Sequence, residues 1–185
     1  MWINHLDFVS GDITKVATTF NVSSGLGGPS GLIIKPGTAG AGDGTVEKGL
    51  QVSPGFLISG VRVCYQLLSE NNFISNISLA RLQDPPTGLT LFLDDPADLK
   101  STGPICVDSP VAPLTLTPID PSPGAVRLSL GVHFGNTTDR IVLLAVGLHL
   151  VLDPNGPIEH THIYLTGKGV GHNNTEAITS EPIFP

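Results

Sequence analysis

Ile141-Val142-Leu143-Leu144-Ala145-Val146-Gly147-Leu148-His149-Leu150-Val151-Leu152 is the most apolar stretch of the chain. It follows, across a Gly135-Asn136 turn, a segment of a different kind. In Ala125 to Phe134 the residues Val126, Leu128, Leu130, Val132 and Phe134 fall on one side of an extended backbone, with Arg127, Ser129 and His133 on the other. That alternation marks a strand with one dry face and one wet face. Ile141–Leu152 has no wet face, since only Gly147 and His149 interrupt it, so it reads as a central strand covered on both sides. The two expected faces are Ile141, Leu143, Ala145 and Val151 against Val142, Leu144, Val146 and Leu148. The unbroken run Ile141 to Leu148 is far too short to span a bilayer.

Outward from this pair, strand patterns recur between turn signals. Pro54-Gly55 opens Phe56 to Leu68, where Val61, Val63, Tyr65 and Leu67 share a face. Asn71-Asn72 turns the chain, and Phe73 to Leu82 is expected to pair back as an antiparallel hairpin. Leu89 to Leu93, Leu114 to Ile119 and Ile158 to Leu165 read as further strands, as do Ile13 to Val22, Leu32 to Ile34 and Val46 to Val52 upstream. Thr38 to Gly44 reads as a flexible glycine loop, and the region holding Asp98, Cys106 and Asp108 as irregular. No amphipathic helix of useful length is present. About nine or ten strands in this rhythm describe an all-β antiparallel sandwich of jelly-roll type. The expected organisation is one domain over residues 1–185, with a Gly/Pro-rich N-terminal segment and an irregular tail from Gly167.

Composition agrees with a β fold and narrows the partners. Gly (22) and Pro (16) are too abundant for a helical bundle. Lys and Arg number 9 against 16 Asp and Glu, a net charge of −7, which argues against binding a phosphate backbone. Only 14% of residues are charged, against about 25% in typical soluble proteins. Cys64 and Cys106 form no Cys-x-x-C pair, and two readings stand open: separate buried thiols or one disulfide, with the bridge preferred. The start Met1-Trp2-Ile3-Asn4-His5 lacks the basic-then-apolar form of a signal peptide. Sequons at Asn21, Asn76, Asn136 and Asn173 are read as chance products of a polar β sequence, Asn76 falling mid-strand. An extracellular or particle-surface setting is favoured.

Chemistry-bearing patterns are few. His160-Thr161-His162 would place two imidazoles on one face of a strand, the nucleus of a transition-metal site to which Glu159 or His172 could add. The pattern resembles the His-x-His of cupins, whose fold is also a double-sheet jelly roll. It departs from cupins where an acid should follow, because Ile163-Tyr164-Leu165-Thr166 stands there. Asp94, Asp95 and Asp98 cluster as hard-oxygen donors of the kind that hold Ca²⁺, although Asp before Pro also initiates turns. No Gly-x-Ser-x-Gly elbow, Walker loop or His-Glu-x-x-His helix occurs, which favours a non-enzymatic role. With one Trp, two Tyr and seven Phe, and Trp2 at the extreme terminus, a broad sugar platform looks hard to build.

Two function classes follow. The first is a structural module that self-associates as a homo-oligomer by burying the second apolar face of Ile141–Leu152 against a neighbour, with no resident cofactor. The alternative is a ligand-binding module, lectin-like with Ca²⁺ at Asp94, Asp95 and Asp98, or metal-binding at His160 and His162. Carbohydrate is a possible partner. A cupin-like metal enzyme ranks third.

Overall fold

The computed structural model describes residues 1–21, 31–51, 55–83, 88–96, 98–110 and 125–153. Among these residues the chain forms eleven strands, β1 (Trp2–Ile3), β2 (Val9–Ser10), β3 (Val16–Asn21), β4 (Gly31–Pro36), β5 (Gly42–Leu50), β6 (Phe56–Leu67), β7 (Phe73–Leu82), β8 (Leu89–Asp95), β9 (Ile105–Pro110), β10 (Val126–Phe134) and β11 (Ile141–Leu152), and one 3₁₀ turn at His5–Asp7. The strands make two antiparallel sheets. One runs β3-β4-β11-β6-β9 with β1 added on β11, and the other β2-β5-β10-β7-β8. Counting β4 to β11 as first to eighth, the sheets order as first, eighth, third, sixth and second, seventh, fourth, fifth. This is jelly-roll winding, as the strand rhythm predicted.

The core lies between the sheets. Tyr65, Leu67, Ile34, Ile141 and Leu143 from one face Ile74, Ile77, Leu79, Leu128, Leu130 and Phe134 from the other, all essentially without solvent contact. This explains why β6 and β7 are not the hairpin the Asn71-Asn72 turn suggested. Each carries its own dry face, and the two strands join different sheets. Pairing side by side would aim both dry faces the same way; crossing between sheets lets them bury each other.

The doubly apolar reading of Ile141–Leu152 also changes. Leu143 pairs with Tyr65 and Ala145 with Cys64, so Leu144 is an extra residue, a bulge that exchanges the two faces halfway along the strand. The inward row is therefore Ile141, Leu143, Val146 and Leu148, with Leu150 packed at its end. Below the bulge the outward row holds Ala145, Gly147 and His149. The strand has one core face, read out in two phases.

Two further differences have local causes. β5 begins at Gly42 inside the expected loop, because Gly42 and Gly44 pair with Phe134 and Val132; a side chain at Gly44 would collide with buried Val16. β9 was missed because it is a half-exposed edge strand in which only Val107 and Ser109 turn inward. Its Cys106 stands opposite Cys64 of β6, and the two form a disulfide, so the bridged reading holds. The strands expected at Leu114–Ile119 and Ile158–Leu165 lie outside the described residues. Among the described residues no helix is long and apolar enough to cross a membrane.

Candidate functional site

β11 has two edges. β6 occupies one along its whole length, while β4 covers only Ile141–Leu143 on the other. β1 takes over that second edge further along, with Trp2 opposite Gly147 and Ile3 opposite Val146. Met1 N donates to Leu148 O and Leu148 N donates to Met1 O, each at 2.7 Å. The pairing lays the indole of Trp2 over Gly147, where an added Cβ would stand 3.0 Å from Cε3 and 3.2 Å from Cζ3. Glycine inside a strand is costly unless another group needs the space, and here the indole takes it. Trp2 remains 65% exposed.

Around this ring the outer face of the six-stranded sheet is polar. Arg62 of β6 and His149 of β11 line, with Met1, Trp2, Gly147 and Leu148, a depression of about 190 Å³. Both are held by Asp108 of edge strand β9: Arg62 Nη1 lies 3.5 Å from Oδ2 and His149 Nε2 2.8 Å from Oδ1. The register sets Arg62 opposite both Gly147 and Asp108. The Cys64–Cys106 bridge sits two residues further along the same strand pair and fastens the edge strand that carries Asp108.

A second depression, about 410 Å³, is also lined by Met1 and Trp2 and is bounded by Asn4, Asp7, Lys48 and Gln51 among others. Lys48 Nζ pairs with Asp7 Oδ2 at 3.0 Å, and Asn4 Nδ2 donates to Asp7 Oδ1 at 2.8 Å. A third depression, on the outer face of the five-stranded sheet, lies over Gly131 and is lined by Asp12, Lys15, Asp43, Thr45, Glu47 and Ser75, with no aromatic wall. Asp12 is held below the usual carboxylate range, chiefly by the Thr14 hydroxyl at 2.7 Å and then by the Thr14 amide at 2.9 Å, both donating to Oδ1.

The residues singled out from sequence do not build a metal centre among the described residues, where no group of three His, Cys, Asp or Glu could hold an ion. Asp94 accepts from Asn76 Nδ2 at 2.7 Å, Asp95 from the buried Ser109 hydroxyl across the sandwich edge, and Asp98 pairs with Lys100 at 2.8 Å. The three carboxylates thus engage three different partners. His160 and His162 lie outside the described residues. Sequence reasoning discounted Trp2 because of its position in the chain. The available signal was Gly147, a residue with no side chain in the middle of an otherwise bulky strand.

No protein-family model matches the chain, and no curated protein matches it in sequence. Its fold does match solved structures. One is a carbohydrate-binding module of the β-sandwich superfamily described for promiscuous specificity, at a TM-score of 0.51 and 11% identity, covering 79% of this chain and 58% of that one. Another is the CBM22-1 xylan-binding domain of Paenibacillus barcinonensis Xyn10C, at a TM-score of 0.51 and 9% identity, covering 79% of this chain and 86% of that one. The chain therefore spans little more than half of the first of these. The likeness is one of fold. Together with the phase change at Leu144, it overturns the expectation of an assembly subunit: Val146 and Leu148, half of the second apolar face behind that expectation, point inward, and the solved structures that share this fold are carbohydrate-binding modules, which agrees with the alternative reading.

Proposed function

We propose that the chain is a non-catalytic saccharide-binding module whose site is centred on Trp2. The observation that carries this reading is an exposed indole fixed on the sheet surface beside Arg62, His149 and Asp108. A sugar ring has an apolar C–H face and a rim of hydroxyls that both donate and accept. The indole offers the matching apolar, electron-rich face. Arg62, which lines the depression, supplies donors only, and Asp108, which holds Arg62 and His149 from edge strand β9, supplies acceptors only, so neighbouring hydroxyls find both roles at or beside one depression. The support is pre-formed: Met1, next to Trp2, is tied to Leu148 by two backbone hydrogen bonds, and Arg62 and His149 share one carboxylate, which lowers the ordering cost on binding. The sandwich fold shared with carbohydrate-binding modules supports the same reading. The disulfide accords with an exported protein, since such bridges persist in oxidising compartments.

The test is binding to a panel of insoluble and soluble polysaccharides (xylan, mannan, β-glucan), by pull-down and by affinity electrophoresis. Retention by at least one, with a loss of about tenfold or more in Trp2→Ala, is expected for a truncated aromatic anchor. Trp2→Ala binding as well as the parent protein would refute the site, and silence across the panel would refute the function.

A further inference from the structure

Resting on that reading, we infer that Trp2 serves two adjoining subsites, so that the ligand is an uncharged saccharide chain of two or more units and not a single sugar. The depressions of about 190 and 410 Å³ share Met1 and Trp2 as a common wall. Each depression is lined by one cation paired with one carboxylate, Arg62 with Asp108 at 3.5 Å and Lys48 with Asp7 at 3.0 Å. The repetition matters more than either pair alone. Each depression has a donor and an acceptor at or beside it, and Trp2 borders both. A chain crossing Trp2 meets both pairs in turn, whereas one sugar ring reaches one pair.

Charge sets the ligand class. Within each side-chain pair the formal charges cancel, so neither Arg62 nor Lys48 is left as a surplus cation for a uronate or a sulfate, and the Met1 ammonium that borders both depressions already donates to Leu148 O. The chain as a whole carries −7 and repels polyanions at long range. Neutral polyols lose nothing on either count. Linking two weak contacts in one ligand converts the second into an intramolecular event, so affinity should rise steeply from one unit to a few and then level.

The experiment is calorimetric titration of the full chain with xylose, xylobiose, xylotetraose and xylohexaose, repeated with the matching cello-oligosaccharides, and with oligogalacturonate as the anionic comparison. The expected result is a gain of tenfold or more from monomer to tetramer, little further gain to hexamer, and weaker binding of the galacturonate. Arg62→Ala and, separately, Lys48→Ala or Gln51→Ala should each remove most of the gain with chain length while leaving the melting temperature close to that of the parent. A monomer that binds as tightly as the tetramer, or Lys48→Ala and Gln51→Ala variants that keep the full gain, would overturn the two-subsite inference and leave saccharide binding intact. Tighter binding of oligogalacturonate would overturn the neutral-ligand claim. Failure of every sugar to bind would instead overturn the saccharide reading itself.

Discussion

The six-membered ring of Trp2 rests on Gly147, and the missing side chain at that position is what allows the indole to lie against β11. Gly147→Val should lift the ring away, because even a Cβ would stand 3.0 Å from Cε3. Trp2 is the chain's single tryptophan, so its emission reports this site alone. The expected outcome is a red-shifted emission and reduced saccharide retention, with a melting temperature within a few degrees of the parent, since β1 contributes only two paired residues. Unchanged emission in the variant would mean that the ring does not depend on Gly147.

The Cys64–Cys106 bridge closes a loop with a sequence separation of 42. On the chain-entropy account a loop of this length stabilises the fold by about 4 kcal/mol. Cys106 lies exposed on an edge strand, so a small reductant can reach it. Reduction, or a Cys64→Ser/Cys106→Ser double substitution, should lower the urea midpoint by a corresponding amount. It should also loosen β9, and with it Asp108, so saccharide affinity should fall at temperatures where the protein remains folded. Equal urea midpoints with and without reductant would contradict this.

Neighbouring leucines on β11 separate a strand with one core face from one buried on both faces. Leu143 has no solvent contact and sits in the central core, while Leu144 is the bulged residue and is only partly buried. Leu143→Ala should cost about 2–5 kcal/mol, as large-to-small core substitutions do. Leu144→Ala should cost no more than about 1 kcal/mol, the range of partly exposed positions. Denaturant unfolding of the two variants decides, and similar costs for both would show that both faces of the strand are buried.

Acid stability should depend on Asp12. Its carboxylate accepts from the Thr14 hydroxyl and amide, which holds its folded value below its ordinary one. A depressed carboxylate pKa adds stability at pH above the unfolded value, and that stability is lost as pH falls through the folded value. Asp12→Asn should therefore show a shallower loss of melting temperature below about pH 4 than the parent, with little difference near neutrality in the slope of stability against pH. Parallel acid curves would remove Asp12 from the account.

Much of the fold was legible because each strand carries its own hydrophobic timing. Val126, Leu128, Leu130, Val132 and Phe134 alternate without a fault, and all five are buried on one face of β10. β6 likewise keeps Val61, Val63, Tyr65 and Leu67 inward. Rhythm and turn chemistry favoured a jelly roll but left the strand order open. Which strands pair was less legible, because the dry faces of β6 and β7 are satisfied equally well by lying in one sheet or by facing each other across two. The candidate site was barely legible. Trp2, Arg62, Asp108 and His149 come from four strands scattered along the chain, and none of them belongs to a spacing motif.

By itself, the order of apolar and polar residues pointed to an antiparallel β fold of strands with one dry face each, which a two-sheet sandwich buries. It also placed Cys64 on a strand. Tertiary structure alone decided that Leu144 is a bulge, that β1 finishes the edge of β11 that β4 leaves open, and that Cys64 meets Cys106. The reason is physical. Alternation records which way a side chain points relative to its own backbone, whereas register and neighbour choice depend on hydrogen bonds to strands far away in sequence, which a local pattern does not encode.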